Sequence, residues 1–326
     1  MARFLEVFVT PLIGALCAVF FAPDTDAQTY PVRTITFVVP ASNVSSMDIM
    51  ARQIAPILSK RFGQPIVVEN RVGASGNIGV RQVAKSAPDG YTVLVAANTI
   101  STAPWLYKNL EYDPVADFAP VAKLAVTKFA LIVHASVEAR RTSEFIALAK
   151  NNPGKLNCSS PGSGTPQHLL MVVFMQTVGV DLTHIPYKTT AGALTDLVAG
   201  QVPCAFMTVH TALPFVQAGK LRILGIASNK RVPWFPDIPT MAEEGIDGVA
   251  SDGWAAFFVP ARTPADIVKR LSDETLAILA QPDFRETAFK QGFLVEPAGP
   301  EELAALLKSD LAKWRKVVAQ GKISAD

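Results

Sequence analysis

Short β-rich apolar runs alternate with amphipathic stretches along most of this chain, and that alternation restricts its fold more than any other feature. Strand-like runs fall at 34–39, 66–69, 92–95, 129–133, 155–158, 182–185, 222–227 and 254–259. Separated by helical patterns, such runs mark crossover units in an α/β fold with a parallel sheet. Several helices have readable ends. Ser45 followed by Asp48 reads as a capping box before Ile49, Ile54, Ile57 and Leu58. Thr165 and Pro166 mark another start, because proline at the first helical position gives up only an unused N–H, and Gly179 marks its stop. Thr211 and Gly219 bracket a short helix. Thr263, Pro264 and Asp266 open one bearing Ile267, Val268, Leu271 and Leu279. Leu303, Leu307, Leu311, Trp314 and Val318 recur at helical spacing in the last, a packing face.

Two polar loops each lie between a strand-like run and a helix. The first is Ala41-Ser42-Asn43-Val44-Ser45-Ser46-Met47-Asp48, and the second runs from Ser159 and Ser160 through Gly162, Ser163, Gly164 and Thr165 to His168. The first amides of a helix lack intrahelical partners and carry the positive end of its dipole, so such loops suit anions. Two of them, far apart in sequence, make a clamp for an anion.

The first residues read differently. Arg3 precedes an apolar stretch at 7–22, shorter than the ~20 residues of a spanning helix and interrupted by Pro11. Thr25 and Ala27 come next as small residues before a cut. This reads as an export signal over 1–27, cleaved near Ala27, with a periplasmic destination. Leu16 before Cys17 argues against a lipoprotein site. The rest of the chain is long enough for two domains. A formal charge of +2 with 18% charged residues gives no basic tract for nucleic acid. Cys158 and Cys204 remain; an exported chain permits their disulfide, and two buried thiols account for them equally well.

The residues then meet a known pattern. Val68-Glu69-Asn70-Arg71-Val72-Gly73-Ala74-Ser75-Gly76-Asn77-Ile78-Gly79, continued by Ser86-Ala87-Pro88-Asp89-Gly90-Tyr91, resembles the Bug (TctC-like) solute receptors of tripartite tricarboxylate transport systems. Asn152-Pro153-Gly154-Lys155, Gly164-Thr165-Pro166-Gln167-His168, Ile185-Pro186-Tyr187-Lys188, Ala218-Gly219-Lys220-Leu221-Arg222 and Pro239-Thr240-Met241-Ala242-Glu243 agree in order. The resemblance implies a two-lobed periplasmic-binding-protein fold, each lobe a mainly parallel sheet flanked by helices. It divides the chain into one lobe of 28–128 plus 252–326 and a second of 129–251. It also implies a non-catalytic monomer that closes on a small carboxylate and hands it to membrane transporter subunits, the ligand being held by the two loops, one per lobe.

The chain departs from that family in places. Val44 and Ser45 stand where the first loop usually has glycines, so side-chain donors on Ser42, Asn43, Ser45 and Ser46 replace close backbone approach. Ser45 reads equally as ligand donor or helix cap. Met207 and Thr208 come after Phe206 where many relatives have an acid, which removes a counter-ion for an ammonium group and favours an unsubstituted aliphatic or aromatic carboxylate. The ligand-facing set is therefore Ala41, Ser42, Asn43, Ser45, Ser46, Ser160, Gly162, Ser163, Gly164, Thr165, His168, Tyr187 and Thr208, with His168 read more readily as a brace for its loop. Asp48 is assigned to capping. The glycines at 73, 76 and 79 lack the dinucleotide fingerprint and the P-loop lysine, and read as a tight turn into a helix. His134, His184 and His210 show no metal-ligand spacing, so neither metal nor cofactor is expected. Gly162-Ser163-Gly164 lacks the frame of a serine-hydrolase elbow. A receptor that signals through a membrane partner shares the fold and remains an alternative to uptake.

Overall fold

The computed structural model describes residues 30–321 and 323, so the export-signal reading lies outside the described residues. In chain order the elements are β1 (Ile35–Val39), α1 (Ser46–Phe62), β2 (Ile66–Asn70), a 3-10 turn (Ala74–Gly76), α2 (Asn77–Ala84), β3 (Thr92–Ala97), α3 (Thr99–Leu106) and β4 (Phe118–His134). Then come α4 (Thr142–Asn151), β5 (Asn157–Ser160), α5 (Pro166–Val178), β6 (Thr183–Pro186), α6 (Thr190–Val198), β7 (Cys204–Thr208), α7 (Val209–Gln217) and β8 (Leu221–Ile226). The chain closes with β9 (Asp252–Pro260), α8 (Ala265–Leu279), α9 (Pro282–Lys290) and α10 (Pro300–Gly321).

The strands run in the order β2-β1-β3-β9-β4-β7-β5-β6, with β8 also on β4. Parallel pairing holds at β1 with β2 and β3, and at β5 with β6 and β7. Where β4 and β9 join the halves every pairing is antiparallel, so the sheet is mixed, its parallel pairings confined to β2-β1-β3 and β7-β5-β6. β4 is the reason. Its first part pairs with β9 and its last residues, from Phe129, with β7 and β8, so one strand serves two lobes.

Each lobe buries its own apolar residues. Ile35, Phe37, Ile54, Leu58, Phe257 and Phe293 pack under one face of the first sheet half, and Val38, Leu94, Ile100 and Phe258 under the other. In the second half Phe145, Phe174 and Phe206 lie on one face, and Ile132, Leu197 and Met207 on the other. α10 touches both: Leu303 and Leu307 join the first lobe's core, Trp314 and Val318 the second's. Cys158 and Cys204 are register partners on β5 and β7 and form a disulfide, which decides that open reading.

The lobes also meet across the cleft between them. On one flank the Ser75 hydroxyl donates to the Ser163 carbonyl at 3.1 Å, and that of Thr102 to the Gly164 carbonyl at 3.2 Å. On the other, Trp234 Nε1–H donates to the Phe289 carbonyl at 2.6 Å.

Candidate functional site

A cavity of about 680 Å³ lies between the lobes, within the range of roughly 300–1,000 Å³ usual for small-molecule sites. Six helices begin on its wall. Ser45, Gly76 and Asn98, the N-caps of α1, α2 and α3, come from one side, and Thr165, Thr189 and Thr208, those of α5, α6 and α7, from the other. Each start contributes the positive end of a dipole and amides with no partner in their own helix. Among the described residues no Asp or Glu lines the cavity, and the one formally charged residue on its wall is Lys188, exposed on the loop after β6.

The two sequence-predicted loops face each other here. Ala41, Ser42, Ser45 and Ser46 line the wall from one side, and Gly162, Ser163, Thr165, Tyr187 and Thr208 from the other. The structure does not place Asn43, Ser160, Gly164 or His168 on that wall. Asn43 is exposed at the loop's outer turn. The other three brace the second loop from behind. His168 Nδ1 accepts the Gly164 N–H at 3.1 Å, its ring stacks on His184 with centroids 3.9 Å apart, and His184 Nε2 sits 2.7 Å from the Ser160 hydroxyl. Burial pulls both imidazoles down to about 4, His168 adding to the effect on His184, so both are neutral near pH 7. Because Nδ1 of His168 accepts, its proton rides on Nε2.

Capping consumes part of the hydrogen-bonding capacity that the sequence assigned to a ligand. Ser45 Oγ accepts from the Asp48 N–H at 3.3 Å while still facing the cavity, so it caps and lines at once. Thr165 Oγ1 donates to the Gly162 carbonyl at 2.8 Å and accepts from the His168 N–H at 3.4 Å. The Gly162, Gly164 and Thr165 amides are likewise taken within their loop, which leaves those of Ser163 and Gln167 for a guest. The Tyr187 hydroxyl turns away to Asp196 at 2.6 Å, so its ring is what lines the wall; burial and that carboxylate push the phenol up to about 12. Asp48 completes only half of the expected capping box: its carboxylate accepts instead from Arg52 and Asn70, which ties α1 to β2. Met207 lies wholly in the core, and Thr208 alone of that pair reaches the cavity.

Several wall groups escaped sequence reasoning. Asn98 is fixed by distant partners: its Nδ2 donates to the Asp252 carbonyl at 3.0 Å and its Oδ1 accepts the Trp254 N–H at 2.8 Å. Behind them Asp310 accepts from Trp254 Nε1 at 2.7 Å, and burial pushes its carboxyl up. The Gly73–Gly76 turn, expected as local structure only, places Ser75 on the wall with a φ of 53°. His210 and Thr211 come from the first turn of α7, which starts earlier than the Thr211 signal implied.

Two lobes around a cavity ringed by helix starts define a solute receptor. The chain belongs to the TctC family, described as "Tripartite tricarboxylate transporter family receptor", whose model matches residues 50–323. It is 32% identical to Protein BugT of Bordetella pertussis over 92% of this chain and 92% of that one. Among solved structures it is similar to R. palustris Rpa4515 with adipate, at 32% identity and a TM-score of 0.88 over 90% of this chain and 99% of the other. It is similar too to MatC (Rpa3494) from Rhodopseudomonas palustris with bound malate, at 34% identity and a TM-score of 0.83 over 89% and 100% of the two chains. Among the described residues no helix is long and apolar enough to cross a membrane.

Proposed function

We propose that this protein is a periplasmic receptor that captures a small organic carboxylate between its lobes for uptake by membrane transporter subunits, without catalysing a reaction. The observation that carries the reading is the ring of six N-caps around an interior that no acidic side chain lines among the described residues. An anion there meets several aligned dipoles and unpartnered amides and no like charge. The adipate and malate held by structural relatives are of this class. An amino acid suits the site poorly, because its ammonium group would find no carboxylate partner. The direct contacts are Ala41, Ser42, Ser45, Ser46, Gly162, Ser163, Tyr187 and Thr208, joined by the Ser75 turn and Asn98, while Thr165 lines the wall and holds the second loop in shape through its cap. Residues 28–128 plus 252–326 form one lobe and 129–251 the other, with the end of α10 seated on the second. Residues 1–27 are the export signal, removed near Ala27.

Ligand that binds only the native state stabilises it by about 2.7 kcal/mol at a hundredfold excess over Kd. A thermal-shift screen of mono-, di- and tricarboxylates therefore raises Tm by about 5 °C for the preferred compound. No shift with any carboxylate would count against the reading, and turnover of a carboxylic ester by the purified protein would favour a hydrolase instead.

A further inference from the structure

His210 stands where the two lobes meet over the cavity. It lies in the first turn of α7, lines the wall and is 6% exposed. Thr127 of β4 places Oγ1 3.0 Å from its Nδ1, and the Phe293 ring packs against it with centroids 4.4 Å apart. Gly292, with a φ of 86°, leaves a space that a Cβ would fill to within 2.8 Å of His210 Cα. The Val44 carbonyl also faces the ring, yet Nε2 is buried without a hydrogen bond of good geometry. Phe293 belongs to the first lobe's core and Val44 to its anion loop, whereas α7 packs in the second lobe. The imidazole is thus shielded by the opposite lobe, whose withdrawal would expose it to water.

None of these neighbours is charged, and the charged groups of the surrounding elements are engaged elsewhere. Lys128, next to Thr127, pairs with Asp252; Asp48, beyond Val44, is tied to Arg52 and Asn70; Lys290, before Gly292, pairs with Glu286. α7 itself carries no Asp, Glu, Lys or Arg, and Lys188 on the cavity wall is exposed.

We propose that the lobes shut on a ligand only while His210 is neutral, so that capture weakens as the medium is acidified. This rests on the carboxylate-receptor reading above. With the lobes in contact as they are here, burial holds the imidazole down to about 3, whereas in water it titrates near 6.5. Above about pH 6.5 the ring is neutral in both forms and closure costs nothing in protons. Below it the open form binds a proton that the shut form rejects, and affinity falls by up to about tenfold per pH unit. His168 and His184 do not share this position, since their rings stack on each other within the second lobe and neither is on the cavity wall.

The test is calorimetric titration with adipate and with malate at about pH 7.5, 6.5 and 5.5. It uses the unaltered protein, His210→Gln and His210→Phe, each checked for folding by circular dichroism. The unaltered protein should bind about tenfold more weakly at the lowest pH than at the highest, and at least one folded variant should lose that slope while still binding. Equal affinity at all three values, or the same slope in every folded variant, overturns the role of His210 and leaves the receptor reading standing. Failure of both dicarboxylates to bind at any pH overturns that reading and this inference with it.

Discussion

Thr165 shows how a side chain legible in sequence can take a different job from the one it advertises. The Thr-Pro pair announces a helix start from local residues alone, and α5 does begin there. What sequence could not show is the direction of the hydroxyl, which is spent on Gly162 and on the His168 amide. Thr165→Val should therefore act through stability, costing about 1 kcal/mol as a lost cap, with Thr165→Ser restoring most of it. Urea midpoints measure this, and an unchanged midpoint in the valine variant would refute it. His168 reads from the sequence as a brace for its loop, but its partner His184, on β6, could be named only once the fold brought the two rings together. Asn98 was hidden for the same reason, since its partners Asp252 and Trp254 are far along the chain. Val44, by contrast, stands out in sequence, and it holds a φ of 63° in a position where a glycine would be at ease.

Among the elements, those with uninterrupted patterns were legible and those with conflicting signals were not. β1, β2, β3, β8 and β9 lie close to the apolar runs that predicted them. Only the last part of β4 was visible, because Pro120 and Lys123 break the pattern before it, and the strand accommodates them with register shifts at those places. β7 is not among the strand runs read from the residues, although both its cysteine and that of β5 are noted there. Cys204 there and Cys158 on β5 close a loop with a sequence separation of 46, for which the chain-entropy model gives about 4 kcal/mol. Replacing both with serine should lower the unfolding free energy by up to that amount, read as a lower denaturant midpoint at an unchanged slope. A midpoint equal to that of the unaltered protein would show that the bridge contributes nothing to the fold.

At the scale of the whole molecule, the division into two lobes was legible only through family resemblance. The joint itself is written in long-range pairings: one strand shared by both halves, and a final helix whose Leu303 and Trp314 sit in different cores. The convergence of the six helix starts was similarly invisible, since α3 and α6 gave no signal that placed them beside the two polar loops. That convergence has an electrolytic consequence. A receptor that neutralises its guest with arginine or lysine must hold mobile counter-ions while vacant and shed them on capture. With partial charges fixed in backbone amides instead, loading exchanges water alone, and sodium chloride has little to compete for. The Kd for the preferred carboxylate should change by less than about threefold between dilute buffer and half-molar salt, because shielded dipoles are screened far less than exposed ions. A loss of tenfold or more would mean that a full positive charge, such as Lys188, takes part in the grip.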